Sequence, residues 1–450
     1  MDNPVTKDNL GETIFSLSSA SGRAGVAVFR LSGPASAESV KHLTGRSVPR
    51  PRYAALRKLN SQQGDPIDEA LTLWFPGPAS FTGEDCVEFH THGSPAVING
   101  LSAALLSLGL RQAEPGEFTR RAVQNGKMDL TEAEGLADLI DAQSEGQRVQ
   151  ALRQMGGGLR DLYEDWRERL LDALAQIEGE IDFPDEGDIP DSLSHGAYAP
   201  LGALASEMST ALEDMGRGAA IRSGLDIAII GAPNAGKSTL INALARREIA
   251  ITSPEAGTTR DVVEVQMVIA GLPVTLSDTA GLRESDNAIE AEGVRRARQR
   301  AEEAEITIYV VRPGTTEFEP FLVESMTKTD IIFLNISEGY EHFDLVNAPT
   351  SLRGNLMEPN GESGVHTRLE EIVRKHYSVG QDSGLTRVRH GDCVRRAQEA
   401  ILRAQGQLGI APELTGDDLR AALRALSELA GESDIEAVFD RIFSRFCVGK

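Results

Sequence analysis

The spacing of apolar positions changes several times along this chain, and each change marks a different kind of element. Near the start the apolar residues run or alternate as in strands. Ile14-Phe15-Ser16-Leu17 and Val26-Ala27-Val28-Phe29-Arg30-Leu31 read as two of them, joined by Gly22-Arg23-Ala24-Gly25. Leu71-Thr72-Leu73-Trp74-Phe75 is another, stopped by Pro76-Gly77-Pro78. Cys86 to His92 alternates and meets Gly93, and Ala96 to Leu108 takes up a helical spacing. Residues 1–125 therefore predict an α+β domain.

From about residue 130 the period becomes helical. Leu159, Leu162, Trp166, Leu170, Leu174, Ile177 and Ile181 recur every three or four positions, the stripe of a buried helix face. Asp182 to Pro190 breaks it. A second helix follows through Leu201, Leu204, Met208, Leu212 and Met215, and Ser223-Gly224 ends this segment, 126–222. Residues 223–376 alternate strand and helix, with apolar runs at Leu225–Ile230, Ile306–Val311 and Ile331–Leu334. The last segment, 377–450, is helical again: Leu419, Leu423, Leu426 and Leu429 form a stripe that Thr415 can cap. Ser433-Asp434-Ile435-Glu436 is a capping box opening a final helix. The fold class is thus multidomain α+β and α/β. One helical domain is expected to be interrupted by an inserted nucleotide domain.

The chemistry concentrates in that insertion. Gly231-Ala232-Pro233-Asn234-Ala235-Gly236-Lys237-Ser238 fits G-x-x-x-x-G-K-[ST], with a strand before it and the helix Ser238–Leu244 after it. Strand, glycine loop and helix converge backbone N–H groups and a helix N-terminus on phosphate. Lys237 should reach the β/γ-phosphates, and Ser238 should hold Mg²⁺, with Thr239 alongside. Thr259 in Gly257-Thr258-Thr259-Arg260-Asp261 is the second Mg²⁺ ligand of the pattern. Asp278-Thr279-Ala280-Gly281 adds an acidic residue for the Mg²⁺ water shell and an N–H for the γ-phosphate, the order found in translation-factor-class GTPases. Ras-type enzymes then place a glutamine to orient water; here that position is Leu282. Guanine is normally read by Asn-Lys-x-Asp after the next strand but one. The chain offers Asn335-Ile336-Ser337-Glu338, with Asn335 in place, Glu338 keeping the carboxylate and Ile336 losing the lysine. Thr327-Lys328-Thr329-Asp330 has closer letters but precedes the strand. Ser351 is a fifth candidate contact.

Composition narrows the setting. Lys+Arg 45 against Asp+Glu 68 gives a net charge of −23, which argues against indiscriminate nucleic-acid binding. Cys86, Cys393 and Cys447 lack metal-ligand spacing. No apolar signal core or membrane-length run is present, so a reducing cytoplasmic setting is expected. Gly22–Gly25 spells the G-x-x-G of an RNA-binding KH loop but joins strands, not helices, and reads as a turn. His90 and His92 share one strand face, as a metal pair or, with no third ligand evident, as solvated polar residues. Arg387, Arg389, His390, Arg395 and Arg396 form a basic cluster, read as a solvated helix face with RNA phosphate contact as the alternative.

Together, Phe81-Thr82-Gly83-Glu84-Asp85, the phosphate loop, Ala256 to Asp261 and the terminal Phe446-Cys447-Val448-Gly449-Lys450 closely resemble the MnmE (TrmE) family of tRNA-modification GTPases over nearly the whole chain. The resemblance implies an N-terminal folate-binding domain that also dimerises the protein. It implies a tetrahydrofolate one-carbon donor, 5-formyl- or 5,10-methylene-tetrahydrofolate, held by Arg30, Glu88, Lys127 and Lys450. Cys447 beside that pocket is a candidate for chemistry or a small buried hydrophobe. The implied partners are a second copy (a homodimer), an FAD-containing MnmG-type protein completing a heterotetramer, and tRNA. The implied reaction adds an aminomethyl or carboxymethylaminomethyl group to C5 of the wobble uridine. The family also answers the Leu282 departure. Its G domains are activated by dimerisation around K⁺, here matched by Asn234 with Ser253, Glu255 and Thr258, and its water-orienting glutamate matches Glu290. A K⁺ ion between the phosphates offsets charge building toward the leaving group. The alternative is a ribosome-assembly or regulatory GTPase without covalent tRNA chemistry. Such proteins usually carry an RNA-binding appendage, and no KH segment is evident here.

Overall fold

The structure is a computed structural model that describes residues 12–20, 22–182, 193–232, 234–247, 264–278, 299, 302–312, 314–315, 326–327, 329–336, 351–377, 384–432, 442–444, 446 and 449. The chain divides into two compact units. The first joins Met1–Ala137 to Ser427–Lys450, and the second is Asp138–Leu426.

The first unit is a six-stranded sheet with helices against one face. Its elements are β1 (Ile14–Leu17), β2 (Ala24–Ser32), α1 (Ser36–Thr44), β3 (Ala55–Asn60), β4 (Pro66–Phe75), β5 (Cys86–Gly93), α2 (Pro95–Ser107), β6 (Arg111–Gln112) and α3 (Glu117–Gln124). The sheet order is β3-β4-β5-β2-β1-β6, antiparallel except for the β1–β6 pair. Period-two alternation sends Phe15, Phe29, Leu31, Val87 and Phe89 to one face. There they pack with Val40 and Leu43 of α1 and Leu101 and Leu105 of α2 in a single core. The same alternation sends Arg30, Ser32, Cys86 and Glu88 to the other face, where the register pairs Arg30 with Glu88 and Ser32 with Cys86. Ser94 caps α2 by accepting from the Val97 N–H, with Pro95 at the first helical position. The C-terminal residues of this unit bring Phe443 and Phe446 against Leu130, Ala133 and Met128.

The second unit holds helices and a second sheet. The boundary between the units falls within helix α4 (Leu130–Asp141), and helices α5 (Glu145–Met155), α6 (Gly158–Asp182) and α7 (Leu193–Ser223) precede the strands of the second. The expected stripe is buried in α6 at Leu159, Trp166, Leu170 and Ile177. The nucleotide region contains β7 (Leu225–Ile230), α8 (Lys237–Arg247), β8 (Glu264–Ile269), β9 (Leu272–Asp278), β10 (Ile306–Val311), β11 (Ile331–Asn335), β12 (Ser351–Gly354) and α9 (Ser363–His376). Its sheet runs β12-β11-β10-β7-β9-β8, parallel except for the antiparallel edge strand β8. Strands buried on both faces read as continuous apolar runs, and β10 is buried at all its positions.

Helices α10 (Val388–Gln407) and α11 (Pro412–Ala430) follow the insertion. Helix α10 returns to α7. Gln398 donates to the Ala205 carbonyl and Gln405 to that of Tyr198. At Gly391 a Cβ would lie 2.3 Å from Met215 Sδ, which marks the close approach of the two helices. Helices α7 and α10, on either side of the insertion, therefore pack together within the second unit. One boundary differs from expectation. Helix α11 starts at Pro412, not after Thr415, because proline suits the first turn, where its missing N–H costs no hydrogen bond. Thr415 lies inside that turn and its hydroxyl donates to the Ala411 carbonyl. The capping box at 433–436 lies outside the described residues. Among the described residues no helix is long and apolar enough to cross a membrane.

Candidate functional site

In a parallel sheet, ligands gather at the carboxyl ends of the strands. At that edge β7 leads straight into the glycine loop. Gly231 sits so close to β10 that a Cβ would lie 2.2 Å from the Val310 carbonyl oxygen. Asn234 takes a left-handed φ of 60°, and Gly236 a φ of 107°. Ala235 is fully buried, and its N–H donates to the Ala232 carbonyl. Helix α8 then starts at Lys237, and the Leu240 N–H returns to the Gly236 carbonyl. Lys237 is buried, with Nζ donating to the carbonyls of Gly231 at 2.7 Å and Ala232 at 3.0 Å. Its ammonium is therefore held inside the loop. Ser238 and Thr239 are exposed at the start of the helix, and so is Asn234.

The neighbouring strand ends converge on this loop. Asp278 ends β9 in register with Ile229 of β7. Asn335 ends β11, and its side-chain amide donates to the Ala235 carbonyl at 2.9 Å while its oxygen accepts from the Leu356 N–H at 3.3 Å. The asparagine of the base-reading motif is thus tied to the phosphate loop. A Cβ on Gly236 would meet its amide nitrogen at 2.6 Å. Asp330 is at the other end of β11, accepting from the N–H groups of Thr307 and Thr327. Ser351 opens β12, in register with Ile332, and the structure does not bring it to the loop. The residue that does reach the loop from this side is Leu356, whose Cδ1 would lie 3.0 Å from a Gly236 Cβ. It follows Gly354 in a turn closed by Glu358 N–H to the Asn355 carbonyl. The glycines of that turn were the available signal for it. Ser253, Glu255, Thr258, Thr259, Thr279, Ala280, Gly281, Glu290, Glu338, Cys447 and Lys450 lie outside the described residues, as does the side chain of Asp278.

The first unit contains a second candidate site, a cavity of about 360 Å³ lined by Arg30, Arg52, Phe75, Ala79, Ser80, Phe81, Cys86 and Glu88. That is the size range of small-molecule sites. Arg30 and Glu88 are cross-strand partners. Arg30 Nε and Nη2 donate to Glu88 Oε1 at 3.1 and 2.9 Å. The Arg30 guanidinium also lies 5.1 Å from the ring centre of Phe81 and 5.9 Å from that of Phe118. His90 contacts Glu88 Oε2 at 3.2 Å, and His92 contacts Asp68, so each histidine of the pair has its own carboxylate.

A buried polar chain underlies the Phe81–Asp85 loop. Ser32 Oγ donates to Glu84 and lies 2.6 Å from Thr82 Oγ1, which lies 3.2 Å from Cys86 Sγ. Arg121, 2 % exposed, donates to both oxygens of Glu84 and to Glu117. Glu117 also pairs with Arg111. Burial alone would raise the Glu117 carboxyl. Hydrogen bonds from Arg111 and the Glu114 N–H, with the charges of Arg121 and Arg111, outweigh it and hold the group below the usual carboxylate range. Lys127 is exposed, its stem beside Gly83, and does not line the cavity. Gly449 lies against β1, where a Cβ would be 2.5 Å from the Leu17 carbonyl oxygen. The terminal motif's glycine therefore sits on the same sheet as Arg30. Arg52, Phe118 and the Arg121 chain were not anticipated, because nothing in their spacing marks them.

In the basic cluster, Arg387 pairs with Asp138, Arg395 with Asp392, and Arg396 donates to Cys393 Sγ. His390 is fully buried. Arg395 and Arg396 are exposed on the helix face, whereas His390 is in the core and Arg387 is held by its ion pair.

Comparison with known proteins agrees across the whole chain. Residues 130–447 match the MnmE helical domain, and residues 13–127 match the GTP-binding protein TrmE N-terminus. A tRNA modification GTPase MnmE from Maricaulis maris is 52 % identical over 98 % of this chain and 100 % of its own length. One from Phenylobacterium zucineum is 46 % identical over the same shares, and one from Parvibaculum lavamentivorans 48 %. Among solved structures, the G domain of the T. maritima FeoB iron transporter aligns with 33 % of this chain and 97 % of that one. Its identity is 19 % and its TM-score 0.23, a likeness too slight to carry an inference.

Proposed function

The chain belongs to the MnmE (TrmE) family of tRNA modification GTPases, and on that footing we propose that it hydrolyses GTP as the K⁺-activated component of a wobble-uridine-modifying complex. The observation that carries this reading is the phosphate loop tied by Asn335 to the strand that ends in the base-reading motif. That loop stands in one chain with a two-arginine cavity. Lys237 binds the β/γ-phosphates, and Ser238, with Thr259, supplies oxygen to Mg²⁺. Exposed Ser238 in the first turn of α8 and exposed Asn234 in a left-handed loop position are oxygen donors of the kind hard cations prefer. Asn234, Ser253, Glu255 and Thr258 form the K⁺ loop. When bound, K⁺ supplies the positive charge that an arginine finger gives elsewhere. Glu290 orients the attacking water where Leu282 cannot.

The cavity takes the one-carbon donor, a 5-formyl- or 5,10-methylene-tetrahydrofolate, against Arg30 and Glu88, with Lys127 and Lys450 completing the set and Cys447 near it. The protein acts as a homodimer in the cytoplasm, with an FAD-containing MnmG-type partner, and adds an aminomethyl-type group to C5 of the wobble uridine of certain tRNAs. The decisive experiment pairs two measurements. GTP turnover in KCl should exceed that in NaCl at equal ionic strength by about tenfold or more, the scale of one lost charge-stabilising group. Equal rates would remove the K⁺ mechanism. Mass spectrometry of tRNA nucleosides from a strain lacking the protein should show the wobble modification gone, and unchanged uridines would return the reading to a GTPase without tRNA chemistry.

A further inference from the structure

Two arginines and one carboxylate line the cavity, a local positive excess in a chain of net charge −23. The two arginines differ. Arg30 is neutralised by Glu88 and stacked on two rings. Arg52 meets no carboxylate among the described residues; its guanidinium donates to the Ala79 carbonyl and lies 5.6 Å from the ring centre of Phe75. The backbone at Arg52 is left-handed, φ 63°, a conformation that costs a non-glycine residue free energy and persists only where the surroundings enforce it. They do so here. The Arg52 N–H donates to the Trp74 carbonyl at 2.9 Å, and the Tyr53 N–H to that of Arg50 at 3.1 Å. A strained turn thus holds a guanidinium on the cavity wall. The Ala79 carbonyl engages only Nη2, which leaves most of a five-donor fork unengaged.

We propose that Arg52 is the cavity's carboxylate clamp. It grips the glutamyl carboxylate of a folate while the neutralised Arg30–Glu88 pair and its aromatic neighbours hold the flat ring system. A guanidinium fork matches a carboxylate in two parallel hydrogen bonds, which a lysine or a neutral donor cannot reproduce. The assignment rests on the folate reading above and adds the end of the ligand that this cavity selects.

The test is isothermal titration of the full chain with 5-formyltetrahydrofolate and with the primary carboxamide of 5-formyltetrahydropteroate, which keeps the rings and carries no carboxylate. Wild-type protein should prefer the folate by about tenfold or more, the scale of a charge-assisted pair. Arg52→Gln should erase that preference by weakening the folate alone, and Arg52→Lys should keep part of it. If both ligands weaken together, Arg52 is only a strut for the Ala79 segment, and the proposal falls. Equal binding of the two compounds by wild-type protein also overturns it, without any variant having to fold, and leaves the folate reading standing. Wild-type protein that binds neither overturns the folate reading, and the clamp with it.

Discussion

The phosphate loop of the second unit and the cavity of the first are built from opposite materials. In the loop the backbone does the work. Gly231 and Gly236 are required by contacts of 2.2 and 2.6 Å that no Cβ could keep, and Lys237 is held by two carbonyls of the loop itself. Such a site is contiguous in the chain, because successive N–H groups must converge. The cavity is made of side chains from three strands and two connecting segments, Arg30, Arg52, Phe75, Phe81 and Glu88 among them. A chain of paired charges, the buried Glu117 and Arg121 with the half-buried Arg111 and Glu84, holds the Phe81–Asp85 loop. The first site depends on glycine and backbone geometry, whereas the second depends on charge pairing.

Arg121→Met tests that contrast hardest. Arg121 and Glu117 are 2 % and 3 % exposed, and removing one member of a buried pair leaves uncompensated charge. The first unit should lose about 3–5 kcal/mol of stability. Urea unfolding followed by the fluorescence of Trp74, which lies in that unit's core, measures it. GDP affinity should be unchanged. A first unit as stable as the parent would show that the buried charges are not what holds the loop.

Gly236→Ala is the converse experiment. A φ of 107° and a clash with Asn335 each cost on the order of 1–2 kcal/mol. Together they should weaken fluorescent GDP binding by about a hundredfold. The first unit's unfolding midpoint should not move. Affinity within a few-fold of the parent would mean that the loop relaxes around the added methyl, and glycine would then be dispensable there.

The same contrast explains what was legible in the sequence. A backbone site writes itself as glycine at fixed spacing, so Gly231–Ser238, its flanking strand and its helix could be read directly. Asn335 was legible because it follows a buried apolar strand. Ser351 carries little signal of its own because β12 is short and half-exposed, and its polar letters do not tell which end of the strand meets the loop. β3 and β8 are edge strands with exposed positions along their length, which blurs the apolar pattern. The cavity was legible only through resemblance. Arg30 and Glu88 are far apart in the chain and become partners through the β2–β5 register, which no local spacing encodes. Arg52 carries no signal except its left-handed backbone, a property of the folded chain.

The smallest effect belongs to acid. Hydrogen bonds from Arg111 and the Glu114 N–H outweigh burial and depress the Glu117 carboxyl. Arg111 is pushed upward, chiefly by its hydrogen bond to Glu117, and stays charged throughout. Because the folded group lies below the unfolded value of about 4.3, ionised Glu117 contributes stability that is fully present above that pH. The contribution is lost as pH falls through the folded value. The first unit's urea midpoint should therefore be flat from about pH 7 to about pH 5 and decline below about pH 4. Glu117→Gln should lower the plateau and make the decline shallower, since an amide binds no proton. Asp68 is depressed as well, by hydrogen bonds from His92 that outweigh burial, but His92 is largely exposed and solvent screens the pair. Asp68→Asn should accordingly change the acid slope less than Glu117→Gln does. If the two variants flatten the decline equally, buried pairing is not what distinguishes the cavity's foundation, and the contrast with the phosphate loop weakens at its physical root.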